Sequence, residues 1–173
     1  FTGLAFGNNI GVNIAPWVLG GGDQANVVRV DGAGGYDYAN GGPFEDANDL
    51  TGDGDDQFYL DIVGTNDFYQ VINISAPGSI SFGGYFSSRD GLSGTAQLRM
   101  FTGNTGATGT LVADSGIINI VPLAGDSQNS PWEFYYEQVF LPAGVYSFVV
   151  SMDNDANFDE GFAIFWVDSD NDG

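Results

Sequence analysis

The chain is predicted to fold as an all-β protein, an antiparallel β-sandwich with long acidic loops rich in Gly and Asp. Three observations lead there. Short segments alternate apolar and polar residues, as strands with one buried face do. Clusters of Gly, Asn, Asp and Ser separate them, with 27 glycines spread through 173 residues. No stretch of helical length repeats its apolar residues with a helical period.

The clearest strands lie in the second half. "FYQVINI" (68–74) runs into the turn Ala76-Pro77-Gly78. In "SISFGGYFSS" (79–88), Ile80, Phe82 and Phe86 face one way, and Ser79, Ser81, Tyr85 and Ser87 the other. "TAQLRMFT" (95–102) sets Ala96, Leu98 and Met100 against Gln97, Arg99 and Phe101. "GTLVADSG" (109–116) reads as a short strand and turn. "WEFYYEQVFL" (132–141) leads through Pro142-Ala143-Gly144 into "VYSFVVSM" (145–152), where Tyr146, Phe148, Val150 and Met152 share a face. "GFAIFWV" (161–167) is apolar on both faces, which predicts a central strand with Trp166 in the core. In the first half, "IGVNIAPWVL" (10–19) and "ANVVRV" (25–30) are strand candidates, and residues 31–56 read as one long loop.

Charge narrows the function. The 23 acidic residues face only three basic ones, Arg29, Arg89 and Arg99, for a net charge of −20. Such a chain is repelled by nucleic acid and by anionic membranes. No apolar run is long enough to cross a bilayer as a helix. Cys and His are both absent, which excludes thiolate and imidazole metal sites, His-based triads and Cys nucleophiles.

Thirteen of the 23 acids fall into three clusters. The first is Glu45, Asp46, Asp49, Asp53, Asp55 and Asp56; the second is Asp153, Asp155, Asp159 and Glu160; the third is Asp168, Asp170 and Asp172. Calcium takes roughly six to eight hard oxygens, and carboxylates two residues apart in a turning loop can converge on one ion. "DNDAN", which adds Asn157, and "DSDND" both have this spacing, like the first half of an EF-hand loop. Neither completes one, because Ile164 stands where the loop opened by Asp153 needs its glutamate. Calcium is the expected ion, with the second cluster ranked first because strands flank it. The alternative for each cluster is a solvated acidic loop.

Two other constellations matter. Glu133 and Glu137 share a strand face, but about 13 Å of strand separates them, which is not diagnostic of paired-carboxylate hydrolysis. No enzyme is expected. Trp17, Tyr85, Arg89, Trp132 and Tyr135 are candidates for a glycan-binding surface, with core or rim packing as the alternative for the two tryptophans.

From Asp67 onward, "NDFYQVINISAPGSISF", "GTAQLRMFTGNTGATGTLVADSG" and "LPAGVYSFVVS" follow one another in an order that resembles the pre-peptidase C-terminal domains of secreted bacterial proteins. The same order resembles the galactose-binding-like jelly rolls among carbohydrate-binding modules. The resemblance covers roughly residues 67–167 and implies a jelly-roll-like, non-catalytic accessory sandwich on an extracellular bacterial protein, often with bound calcium. Residues 1–66 are then an N-terminal extension of a single domain spanning 1–167. The final "DSDNDG" (168–173) resembles the opening of thrombospondin type 3 repeats, which implies the start of a calcium-binding linker. The expected function is a calcium-stabilised adhesive module binding a glycan or a surface protein. The alternatives are a self-associating filament subunit and an accessory module of a secreted hydrolase.

Overall fold

The computed structural model describes residues 7–10, 17–20, 24–29, 58–63, 66–88, 92–121, 132–153 and 156–166. These residues form twelve strands and one short 3-10 turn. The strands are β1 (Gly7–Ile10), β2 (Val18–Leu19), β3 (Gln24–Arg29), β4 (Phe58–Val63), β5 (Asn66–Ile74) and β6 (Gly78–Ser88). They continue with β7 (Gly94–Thr102), β8 (Leu111–Asp114), β9 (Ile118–Ile120), β10 (Glu133–Leu141), β11 (Gly144–Met152) and β12 (Ala156–Trp166). The predicted all-β sandwich is the fold found. β4 and β9 were not foreseen, and the predicted loop over residues 31–56 lies outside the described residues.

Two antiparallel sheets make the sandwich. The first has the order β1-β3-β4-β12-β6-β10; the second has the order β2-β5-β11-β7-β8, with β9 also on β7. Strands of the first 66 residues therefore enter both sheets: β1, β3 and β4 join the first, and β2 pairs with β5 in the second. Their inward faces meet in an aromatic core. Phe82, Phe86 and Phe158 of the first sheet and Phe68 and Phe148 of the second are fully buried. Alternation produces this wherever one strand face is polar: in β7, Ala96, Leu98 and Met100 are buried while Gln97 and Arg99 are only half-buried.

Trp17 is only 4% exposed and sits at the centre of the core, 5.0 Å from Phe68, 5.4 Å from Phe148 and 5.6 Å from Phe158 between ring centres, edge to face. It is core, not a ligand-binding residue.

One irregularity decides which way β12 faces. In the β12–β6 ladder, Asp159 lies opposite Tyr85, but Phe162 lies opposite Gly83. Glu160 and Gly161 thus share the place across from Gly84, a β-bulge. The bulge reverses the alternation. Phe158 points into the core, and beyond the bulge Ala163 and Phe165 pack against it. Phe162, Ile164 and Trp166 turn outward, so Trp166, expected in the core, is 57% exposed. Gly161 permits this, because a Cβ there would lie 2.7 Å from the rings of both Phe158 and Trp17.

The second sheet's outer face is satisfied from within. The 3-10 turn Gly106–Thr108 lies on it: the Gly106 N–H donates to Ser147 Oγ at 3.1 Å, and that hydroxyl donates to the Gly103 carbonyl at 2.9 Å. Nearby, Arg99 Nη2 donates to both carboxylate oxygens of Asp67, at 3.1 and 3.2 Å, and to Ser151 Oγ. The guanidinium also lies 5.5 Å from the Phe101 ring centre.

β10 ends the first sheet among the described residues, and its inward side carries Glu133, Tyr135 and Glu137, all half-buried. The Tyr135 hydroxyl donates to Glu133 Oε2 at 2.5 Å. That bond, with burial and the carboxylate charge behind it, pushes the phenol from its ordinary 10.0 up to about 12.

Two outcomes are expected. Phe158→Ala removes a fully buried ring 5.0 Å from Phe86 and should cost about 3–5 kcal/mol in a guanidinium unfolding curve. For Tyr135, the folded pKa lies above the unfolded one, so its contribution to stability is complete below the ordinary value of 10.0 and is lost as the pH rises toward about 12. Tyr135→Phe should delete one late phenolate transition near pH 12 from an absorbance titration, and an unchanged curve would contradict the Glu133 bond.

Candidate functional site

The outer face of the first sheet is unlike that of the second. β6 runs between β12 and β10, and its outward residues are small toward one end: Ser79, Ser81 and Gly83, then Tyr85. The two flanking strands put large side chains beside them. Register sets three transverse rows: Phe140–Ser79–Trp166, Gln138–Ser81–Ile164 and Tyr136–Gly83–Phe162. Neighbouring strands lie about 4.8 Å apart, so the walls of this trough rise from backbones roughly 9.5 Å apart. Phe140 is 65% exposed and Tyr136 59%, values far above those of a packed face. Large exposed apolar surface of this kind marks an interaction site.

The trough is open at one end and closed at the other. The Phe134 and Phe162 rings stack across β6 with centres 5.6 Å apart and planes 16° apart. Phe134 also lies 4.9 Å from Tyr85 and 5.7 Å from Tyr136. Gly83 beneath them is required by the close approach of β10: a Cβ there would meet the Tyr135 carbonyl oxygen at 2.1 Å and Tyr136 Cα at 2.7 Å. The open end has a serine floor between Phe140 and Trp166, with Gln138 on the rim. It combines aromatic faces with hydroxyl and amide groups and places no cationic side chain in the three rows.

The predicted glycan-binding residues divide. Tyr85 lies on this face. Tyr135 does not: it points inward, 6.0 Å from Phe86, because alternation in β10 puts Phe134 and Tyr136 outside instead. Trp17 is core. Trp132 precedes β10, half-buried and engaged with its neighbours. Arg89 lies outside the described residues. Phe134, Tyr136, Phe140, Phe162, Ile164 and Trp166 were missed. The pattern "EFYYEQVF" already held the signal, since its other alternate set is Phe134, Tyr136, Gln138 and Phe140.

The predicted calcium residues divide as well. Glu45, Asp46, Asp49, Asp53, Asp55 and Asp56 lie outside the described residues, as do Asp155, Asp168, Asp170 and Asp172. Asp153 Oδ2 accepts from the Thr95 N–H at 2.8 Å and from Thr95 Oγ1 at 2.7 Å, a clamp between the end of β11 and the start of β7. The turning loop expected around Asn157, Asp159 and Glu160 is corrected: all three belong to β12, paired with β6 from Ala156 onward. A strand points successive side chains to opposite faces, so the loop spacing does not carry past residue 155. Asn157 is fully buried, and neither its Oδ1 nor its Nδ2 has a hydrogen-bond partner. No trio of acidic side chains is close enough to hold a metal among the described residues.

Glu133 and Glu137 sit on the inward side of β10, away from the trough. A recess of about 130 Å³ between Thr95, Gln97, Ile117 and Ser151 on the second sheet falls short of the roughly 300 Å³ at which small-molecule pockets begin.

No family model and no curated protein matches the chain, so the pre-peptidase and thrombospondin type 3 resemblances gain no support. Solved structures do match. The enzymatically active domain of tailspike protein 4 from bacteriophage CBA120 aligns with a TM-score of 0.50 and 16% identity over 92% of this chain, which spans 21% of that chain. TmCBM61, solved with β-1,4-galactotriose, aligns with a TM-score of 0.47 and 13% identity over 89% of this chain and 91% of its own. The carbohydrate-binding module CBM6cm-2 from Cellvibrio mixtus lichenase 5A, solved with cellotriose, aligns at 0.40 and 16% over 79% and 94%. At these identities the likeness is one of fold alone, the jelly-roll-like sandwich.

Proposed function

We propose that this chain is a non-catalytic glycan-binding module of an extracellular bacterial protein, stabilised by calcium, and that it takes its ligand in the trough of the first sheet. The observation that carries this reading is the exposed aromatic pair Phe140 and Trp166 on either side of the serine floor. A pyranose ring has apolar C–H faces and a rim of hydroxyls. Phe140 and Trp166 offer flat apolar surfaces for the faces, while Ser79, Ser81 and Gln138 offer partners for the hydroxyls. The strands fix these groups in place, so little ordering is needed on binding.

Charge selects the glycan. A net charge of −20 repels polyanions such as uronate or sulfated chains, and the three rows supply no cation to offset that. The ligand class is therefore a neutral or amino-sugar polysaccharide. Calcium supports the module by relieving the repulsion among its acids.

Affinity electrophoresis or calorimetry against neutral, amino and acidic polysaccharides tests this. Binding is expected to neutral or amino glycans and not to acidic ones. Trp166→Ala and Phe140→Ala should each weaken it about tenfold or more, about 1.4 kcal/mol. Ile117→Ala, exposed and outside the trough, should leave it unchanged. Wild-type affinity in both trough variants would remove the site.

A further inference from the structure

The closed end of the trough limits which part of a glycan can lie in it. Phe134 stands opposite Tyr85 and Phe162 opposite Gly83, so the two side chains meet on a diagonal across β6. Their rings stack there with centres 5.6 Å apart and planes 16° apart. A sugar ring lying between them would need about 7 Å, two carbon–carbon contacts of about 3.5 Å each, so the gap is shut. The stack is braced as well: Phe134 lies 4.9 Å from the Tyr85 ring and 5.7 Å from that of Tyr136. Exposure follows the same gradient. Phe162 is half-buried and Phe134 47% exposed, against 57% for Trp166 and 65% for Phe140 at the open end. From Gly83 to Ser79 the floor runs about 13 Å. The stack stands over the Gly83 end, and the hydrogen-bonding side chains Ser81, Gln138 and Ser79 all lie beyond it.

We infer that the trough reads the end of a glycan chain and not its interior, with the Phe134–Phe162 stack as the wall at which the terminal sugar stops. This rests on the glycan half of the reading above and is independent of the calcium half. An interior segment has to leave its site in both directions, and here one exit is filled by the stacked rings. A chain entering between Phe140 and Trp166 can set its terminal sugar over Ser81 and the next over Ser79, then pass out to solvent. The polar partners thus lie where the terminal units would sit, and the wall behind them is apolar. Phe134 and Phe162 act as specificity-determining residues that reject the interior by obstruction, a common route to discrimination. The wall is held by neighbouring rings before any ligand arrives, so it needs no ordering on binding. A module built this way directs its parent protein to short or already cut chains, in which ends are abundant.

Calorimetry of the full chain with β-linked glucan, galactan, mannan and xylan, each intact and after limited acid hydrolysis, tests it. Hydrolysis multiplies chain ends at constant mass. For the polymer that binds, sites per unit mass should rise in proportion to the ends, about tenfold for chains cut to about a tenth of their length. A trisaccharide of that glycan should match its hexasaccharide in affinity. Phe134→Ala, at a half-exposed position, should open the wall: the intact polymer should then bind as well per unit mass as the digest. Binding that Trp166→Ala weakens but hydrolysis leaves unchanged per unit mass overturns the end-reading alone, and so does a digest preference that persists in folded Phe134→Ala. The wild-type comparison decides the matter even where that variant does not fold. No binding to any of the four glycans, intact or cut, overturns the glycan reading and this inference together.

Discussion

The two-residue alternation of a β-strand is the constraint on which this molecule depends, and the bulge at Glu160–Gly161 is where it is broken. Paired regularly, with no bulge to absorb the extra residue, the same sequence would turn Phe162, Ile164 and Trp166 to the core and Ala163 and Phe165 to water. The trough would lose one wall. The core would receive Phe162 where Ala163 now packs, an overpacking that close-packed interiors tolerate poorly. The same bulge lets Asn157 and Phe158 keep the register that puts Phe158 beneath Trp17. Core and outer face are thus set by one local irregularity, and its glycine is needed because Trp17 and Phe158 fill the space where a side chain would go.

Acid-rich chains need something to hold their carboxylates. Here neutral donors do most of that among the described residues. Asp153 is held by Thr95, Asp114 accepts from Gln97 Nε2 at 2.7 Å and from the Gly116 N–H at 2.8 Å, and Glu133 accepts from Tyr135. Asp67 has an arginine partner, at 3.1 Å. Hydrogen bonds to a carboxylate stabilise it locally but leave its charge in place. The repulsion of 20 excess negative charges therefore persists.

The sequence made some faces plain and hid others for a physical reason. β6, β7 and β11 each carry one mainly apolar face, so alternation alone assigned Ile80, Phe82, Leu98, Met100, Phe148 and Val150 to the core, and they are buried. β10 and β12 carry aromatic or apolar residues on both faces. There, composition cannot say which set is inside, and Tyr135 and Trp166 were assigned to the wrong sides. Only pairing with β6 settles the matter: its outward serines and Gly83 leave room for Phe134, Tyr136 and Phe162 above them. The conformation of the acidic second cluster was hidden for a related reason. Aspartates spaced by two look the same in a turning loop and along a strand, and what separates them is whether residues 156–160 find a partner strand, which they do in β6.

That leaves the question of which part of the surface makes contacts, the face or the edge. β10 is the end of its sheet among the described residues, and an open strand edge is a template for another chain. Beneath this edge, however, stand Glu133 and Glu137, half-buried on the inward side. A strand added to β10 would remove water from both, and a second copy of the chain would bring few bases to compensate, since each copy has three. Inward glutamates of this kind blunt an edge against pairing. The outward side of the same strand carries Phe134, Tyr136 and Phe140 with no acid among them. A neutral glycan can cover that side without desolvating Glu133 or Glu137. The distribution of charge along β10 therefore favours recognition across the face and disfavours filament growth through the edge.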